Sequence, residues 1–354
     1  MEFYPAISRR GALIGAASSV LTSSVAWAQG VNKTIEQAAA KEGKLQLLMQ
    51  TGATDDTMKG LIKGFRTHYP FLTVSYTLQS TSQIMNRFTA EVNARKGFTD
   101  CLMLPANLTE TNRYVASGAV AKFTISQDAA FPAEAKRDGF WYALAADRAV
   151  TVYRKGALSP EEVKLVRTYK GLGDPRFKGR LGINGITNSV AVTGAYVLQN
   201  NPDKSLWAGL AANRPKVKSA SAALMDGLLS GEYDISIFAA SATAAATARN
   251  GAPIEFGNTA LTPTLYVPNA ISALAPHPNA ARLWQDWLLS KEGQSLWIEV
   301  AGSSSPRADI AKIWARRQPW FFESPGTHGT IDWADFAAKE QQVVARFRKE
   351  MQTG

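Results

Sequence analysis

Between residues 34 and 104 the chain switches repeatedly between helical and strand-like hydrophobic periods, and that alternation sharply limits the folds open to it. Residues 34–41 carry an amphipathic helical pattern ending at Gly43, and 45–49 form a short apolar strand. A second helical pattern, 56–68, stops at Tyr69-Pro70, and is followed by a strand over 71–78, a helix over 81–95 and a buried strand over 100–104. Strands alternating with helices predict a mainly parallel sheet with helices on both faces. The grammar continues further on. An apolar stretch at 149–153 reads as a strand crossing between domains; a turn at 175–179 precedes a strand at 180–184 and a helix at 189–199. Gly231-Glu232-Tyr233 leads into a strand at 234–238. Residues 332–351 read as a closing helix with Trp333, Phe336, Val343, Val344 and Phe347 turned inward. A chain of 354 residues suits two domains, each with its own core.

The amino-terminal segment has a different character. Arg9 and Arg10 precede a weakly apolar run rich in Ala and Ser, and Ala26-Trp27-Ala28 is an A-x-A cleavage pattern. This predicts an export signal over 1–28, cut after about Ala28, with delivery to the periplasm. The paired arginines point to the twin-arginine route, and Sec export remains the alternative because Ala12 and Ile14 depart from that motif. Serines at 18, 19, 23 and 24 dilute the run below a spanning helix. The net charge of +10 comes from scattered lysines and arginines without a basic-aromatic motif, so no nucleic-acid partner is expected. The single cysteine, Cys101, lies in the 100–104 strand and reads as a packed thiol. The three histidines, His68, His277 and His328, are isolated, so no metal site of His spacing and no cofactor is expected.

The wording from 251 to 297 is the most specific in the chain. Gly251-Ala252-Pro253 is followed by VPNAISAL and then PHPNAARLWQDWLLSKEGQ. Within it Asn279 is a candidate helix cap. Leu283, Trp284, Trp287 and Leu288 share one helical face, with Arg282, Gln285 and Asp286 expected to face away. This wording resembles bacterial periplasmic solute-binding proteins of the ferric-iron-binding type, the receptors of ABC importers, and the opening order of helix, KEGKL, strand, helix, YP and strand is similar to theirs. The resemblance implies an α/β, two-lobed periplasmic binding protein (type II-like, Venus flytrap) with a ligand cleft between the lobes. It divides the chain into the export signal (1–28), a first part of lobe 1 (29–146), lobe 2 (147–262), a return to lobe 1 (263–310) and a C-terminal helical segment (311–354). Ligands of such sheets bind beyond the carboxyl ends of the strands.

Members of that type that hold bare ferric ion use adjacent tyrosines after the strand that follows the Gly-Glu step, completed by a His and a Glu from the first lobe. Here the tyrosine positions fall at about Ser241 and Ala242; the first loop, Gln50 to Thr54, has no His, and the loop after the next strand begins Pro105-Ala106-Asn107. Direct ferric coordination is therefore not expected, since a hard trivalent cation needs phenolate or carboxylate oxygens. Small polar residues stand there instead. Thr51 and Gly52 occupy the first loop, and Thr187, Asn188 and Ser189 join a strand to a helix, where free amides form an anion site or an ordinary cap. Ser241 and Thr243 add hydroxyls. Arg148 supplies a fixed cation at the crossover or pairs with Asp147 on the surface, and Tyr266 faces the cleft or the core. Trp141 and Tyr142 are candidates for a stacking wall.

Together these residues predict a monomeric binding protein that captures a small organic or phosphoryl anion by lobe closure and delivers it to membrane permease subunits. The alternatives are a cationic organic solute such as thiamine or a polyamine, and a ferric complex. An enzyme on the same scaffold is not expected: G-x-S-x-G, H-E-x-x-H, Walker and dinucleotide motifs do not occur.

Overall fold

The computed structural model describes residues 33–50, 53–186, 189–257, 264–310 and 331–351. The proposed export signal lies outside them. The strands are β1 (Lys44–Gln50), β2 (Thr73–Gln79), β3 (Cys101–Met103), β4 (Val120–Ala121), β5 (Lys136–Arg137), β6 (Trp141–Arg154), β7 (Leu181–Asn184), β8 (Lys216–Lys218), β9 (Ile235–Ala240), β10 (Ile254–Phe256) and β11 (Thr264–Ser272). The helices are α1 (Lys33–Glu42), α2 (Asp55–His68), α3 (Thr81–Ala94), α4 (Leu108–Ala116), α5 (Pro160–Leu165), α6 (Tyr169–Leu172), α7 (Ser189–Asn200), α8 (Ser205–Ala212), α9 (Ser221–Leu229), α10 (Ser241–Arg249), α11 (Pro278–Leu288), α12 (Lys291–Ala301) and α13 (Trp333–Met351). Among the described residues no helix is long and apolar enough to cross a membrane.

The strands form one mixed sheet in the order β2-β1-β3-β11-β6-β9-β7-β8, with β4 on β11 and β5 and β10 on β6. At one end β1 runs parallel to β2 and β3; at the other β7 runs parallel to β8 and β9. The two parallel sets are joined through β6 and β11, which are antiparallel to each other. Strand β6 pairs with β11 through Arg148 and with β9 from Ala149 onward, so its neighbour changes between two consecutive residues. Two large apolar cores flank this crossover. One gathers β1, α2 and α11 around Phe65, Trp284 and Trp287; the other gathers β7, β9, α7 and α8 around Phe177, Trp207 and Phe238. Burial of each large side chain contributes about 1.5–3 kcal/mol.

The tail helix α13 belongs to the second core. Phe336, Val343, Phe347 and Met351 are buried there, the Tyr196 hydroxyl donates to Asp335 Oδ2 at 2.7 Å, and Phe347 meets Trp207 edge-on. Its first turn reaches the other side of the molecule, where Thr109 Oγ1 on α4 donates to the Trp333 carbonyl at 2.9 Å.

Helix α11 departs from the expected amphipathic pattern. Gln285 and Asp286, expected to face away, are buried. Gln285 Nε2 donates to the Asn269 carbonyl at 3.1 Å, and Asp286 accepts from the Ser126 hydroxyl at 3.0 Å and from the Ser126 amide. Burial pushes the Asp286 carboxyl up from its ordinary range, partly offset by those two donors. The helix is enclosed on both sides, so its polar residues are satisfied by protein instead of water. Asn279 is also not the cap. His277 precedes the helix without a side-chain cap, and the carboxylate of Glu42, at the end of α1, accepts from the Asn279 and Ala280 amides at 3.1 and 2.8 Å. An acidic group at a helix amino terminus satisfies orphan amides and complements the dipole. Glu42→Ala is expected to lower stability by about 1–2 kcal/mol, the value of a lost cap. Urea denaturation at neutral pH checks it, and an unchanged midpoint would assign the capping to water.

Candidate ligand site at the strand crossover

The point where β6 changes partner also collects polar side chains. Asp147 Oδ1 accepts from the Ser241 hydroxyl at 2.7 Å, the Arg148 amide at 3.0 Å and the Ala242 amide at 3.3 Å. The Ser241 oxygen in turn accepts from the Arg148 amide at 3.0 Å. Ser241 is the first residue of α10, so the Asp147 carboxylate occupies the anion position at that helix amino terminus. A side chain of the protein has taken the place a bound anion would have there.

The approach to α10 is held tightly. Phe238 is buried with φ 59°, left-handed for a bulky residue, at the irregularity where β9 runs along β6. Such a conformation costs on the order of 1–3 kcal/mol and persists only where its surroundings enforce it. Those surroundings are identifiable. Asn184 Nδ2 donates to the Phe238 carbonyl at 3.1 Å and to Ser221 Oγ at 2.8 Å, and Ser221 Oγ accepts from the Ala240 amide at 3.2 Å. On α7, Gly194 lies against the Phe238 ring; a Cβ there would sit 2.4 Å from it.

The sequence candidates separate on this frame. Arg148 is 6% exposed and thus part of the crossover, not one half of a surface pair with Asp147. Tyr266, on β11, pairs with Ala146 and is partly buried. Burial raises its phenol to about 12; the Glu134 carboxylate adds to the rise and the Arg148 guanidinium opposes it, so both charges act on this ring. Ser241 is buried with its hydroxyl committed to Asp147, and Thr243 lies in the first turn of α10, partly buried. Ser189 opens α7 and is exposed. Asn107 caps α4, its Oδ1 accepting from the Thr109 and Glu110 amides at 3.1 and 3.4 Å. Thr51, Gly52, Thr187 and Asn188 lie outside the described residues. The stacking wall is corrected: Trp141 and Tyr142 are buried, with Trp141 Nε1 donating to Asn112 at 3.2 Å and the Tyr142 hydroxyl to Asp128 at 2.7 Å. Among the described residues, no group of three or more His, Cys, Asp and Glu is arranged to hold a metal ion. Thr264, Asn184, Ser221 and the backbone of Phe238 carry no sequence signal for this place: strand register sets Thr264 opposite Arg148, and side-chain hydrogen bonds bring Asn184 and Ser221 to Phe238 and Ala240.

A mixed sheet whose two parallel halves are joined by exchanged strands defines a two-lobed α/β binding protein. Residues 47–300 match the bacterial extracellular solute-binding protein family, and the chain belongs to it. Solved structures of similar fold include the substrate binding protein of an ABC transporter from Agrobacterium tumefaciens (TM-score 0.65, 19% identity, 86% of this chain and 95% of that one). Trichodesmium IdiA (FutA), in complex with iron and citrate ligands, is similar at TM-score 0.66 and 17% identity over 87% of this chain and 99% of its own. Iron-bound HitA from Pseudomonas aeruginosa is similar at TM-score 0.63 and 16% identity, over 86% and 98%. In sequence, iron uptake protein A1 of Synechocystis is 30% identical over 105 residues, which is 28% of each chain; the match spans only that part of the relative.

The raised tyrosines carry a pH dependence. Burial, reinforced by Glu255, holds the Tyr153 phenol at about 12, and Tyr266 is held at about 12 as well, above the ordinary value of about 10. Above pH 10 the unfolded chain releases these protons first. The stability they contribute is therefore complete below about pH 10 and lost as pH rises through about 12. Urea midpoints between pH 8 and 11.5 should fall in the wild type and fall less in a Tyr153→Phe/Tyr266→Phe variant; parallel curves would place the alkaline sensitivity elsewhere.

Proposed function

We propose that this chain is the periplasmic capture component of an ABC importer, working as a monomer, and that its cargo is a ferric ion already wrapped in a carboxylate chelator. The observation that carries the reading is the buried Arg148 guanidinium at the crossover, acting on the same ring as Glu134. A planar, permanently charged fork suits carboxylate oxygens, and its attraction is stronger away from bulk water. Bare ferric ion asks for several anionic oxygen donors. Tyr266 stays protonated to about 12, and one Asp147 oxygen is already occupied by three donors. A chelate answers both facts, because the chelator supplies the metal's donors and the protein meets its outer carboxylates.

The iron-bound relatives favour a ferric complex over the free organic or phosphoryl anion that the loops alone suggest. The same proposal includes export by the 1–28 segment, handover to permease subunits, and lobe limits at 29–146, 147–262 and 263–310. The change of partner at Arg148/Ala149 and the return of the chain in β11 support those limits.

Ferric citrate at about a hundred times its dissociation constant should stabilise the protein by about 2.7 kcal/mol, and iron-free citrate by less. No phenolate-to-iron charge-transfer band is expected. Arg148→Ala should weaken binding more than tenfold. A strong visible band would place the metal on tyrosine. An equal response to iron-free citrate would make the free anion the cargo, and stabilisation by organic cations alone would overturn both.

A further inference from the structure

The register of β6 and β11 sorts the crossover residues by face. Thr264 lies directly opposite Arg148, Leu265 opposite Asp147 and Tyr266 opposite Ala146. Paired residues share a face of a two-stranded ribbon and successive residues alternate, so Arg148, Thr264 and Tyr266 project to one side and Asp147 and Leu265 to the other. Contacts agree with this sorting. Leu265 is packed in the core of β7, β9 and α7, and Asp147 holds Ser241, whereas the Arg148 charge is felt by Tyr266.

On the Asp147 face the carboxylate Oδ1 and the Ser241 hydroxyl are bonded to each other. On the other face stands the Thr264 hydroxyl. Thr264 is 7% exposed, and its Oγ1 is buried without a hydrogen-bond partner among the described residues. An unpartnered buried hydroxyl destabilises the protein that carries it. Packing does not call for it, because valine has nearly the same shape and is at least as well suited to a strand. A hydroxyl beside a buried guanidinium, on the strand pair that joins the two lobes, is what recognition of a two-oxygen anionic group requires. The guanidinium takes one oxygen and the hydroxyl donates to the other. We propose that Thr264 is a specificity-determining residue whose hydroxyl donates to a carboxylate oxygen of the bound solute, alongside Arg148. This deepens the reading of the site as one for a carboxylate-coated cargo and rests on it.

A ligand contact differs from an internal structural role in the sign of two measurements. Thr264→Val and Thr264→Ser are compared with the wild type by melting temperature without ligand and by calorimetric titration with ferric citrate and with iron-free citrate. Thr264→Val is expected to melt at or above the wild-type temperature and to bind ferric citrate at least tenfold more weakly. Thr264→Ser, which keeps the hydroxyl, should bind within about threefold of wild type, far less than the tenfold worth about 1.4 kcal/mol. If the wild type binds and Thr264→Val binds equally well, the hydroxyl does not touch the ligand and the role of Thr264 is overturned while the carboxylate reading stands. Loss of unliganded stability in Thr264→Val would show an internal partner and overturn it too. A wild type that binds neither probe removes the carboxylate reading itself, and the role of Thr264 with it.

Discussion

On one side of the Arg148–Ala149 bond, β6 is hydrogen-bonded to β11; on the other, it is hydrogen-bonded to β9. The two cores of the molecule meet through that exchange. Strand β11 returns the chain along β6, so the link is a ribbon of two strands. On the first side the Ala146 amide also donates to the Ser304 carbonyl at 2.9 Å, in the buried segment after α12. Backbone pairing on both sides of one peptide bond fixes the direction in which each strand set leaves the crossover.

The price of that arrangement appears at the end of β9. Phe238 is held left-handed by Asn184, Ser221 and the close packing of Gly194, and the next three residues deliver Ser241 to Asp147. Strain of this kind survives because the surrounding hydrogen bonds leave no relaxed alternative. Its effect is positional. The start of α10 is registered against β6 by a charged group, not by apolar packing alone, and charge-assisted bonds to backbone amides are directional.

Much of the fold was legible because its signals are local. The alternation from 34 to 104, the strand at 234–238 and the tail helix each appear in the structure within a few residues of their expected limits. What failed was decided by distant partners. Gln285 and Asp286 read as solvent-facing because helical period cannot foresee Asn269 and Ser126 arriving on that side. Asn279 read as a cap because Glu42 is far away in sequence. Trp141 and Tyr142 read as a ligand wall, since an aromatic pair before a crossover looks the same whether it faces a cleft or a core. Arg148 and Tyr266 were visible as candidates, but their common face follows from strand register, which composition does not encode.

Asp147 and Arg148, adjacent in the chain, divide the electrostatics of the crossover between two faces. An anion-binding helix terminus is ordinarily an invitation to a ligand, yet here the Asp147 carboxylate fills the one at α10 and holds the Ser241 hydroxyl with it. Negative charge on that face repels a second anion, and the Ser241 hydroxyl and Ala242 amide already donate to Asp147. Arg148 projects to the opposite face, beside Thr264 and Tyr266. Alternation along the strand therefore sets these adjacent side chains on opposite faces of the ribbon. The Asp holds the start of α10, and the Arg charge acts on the Tyr266 ring on the other face.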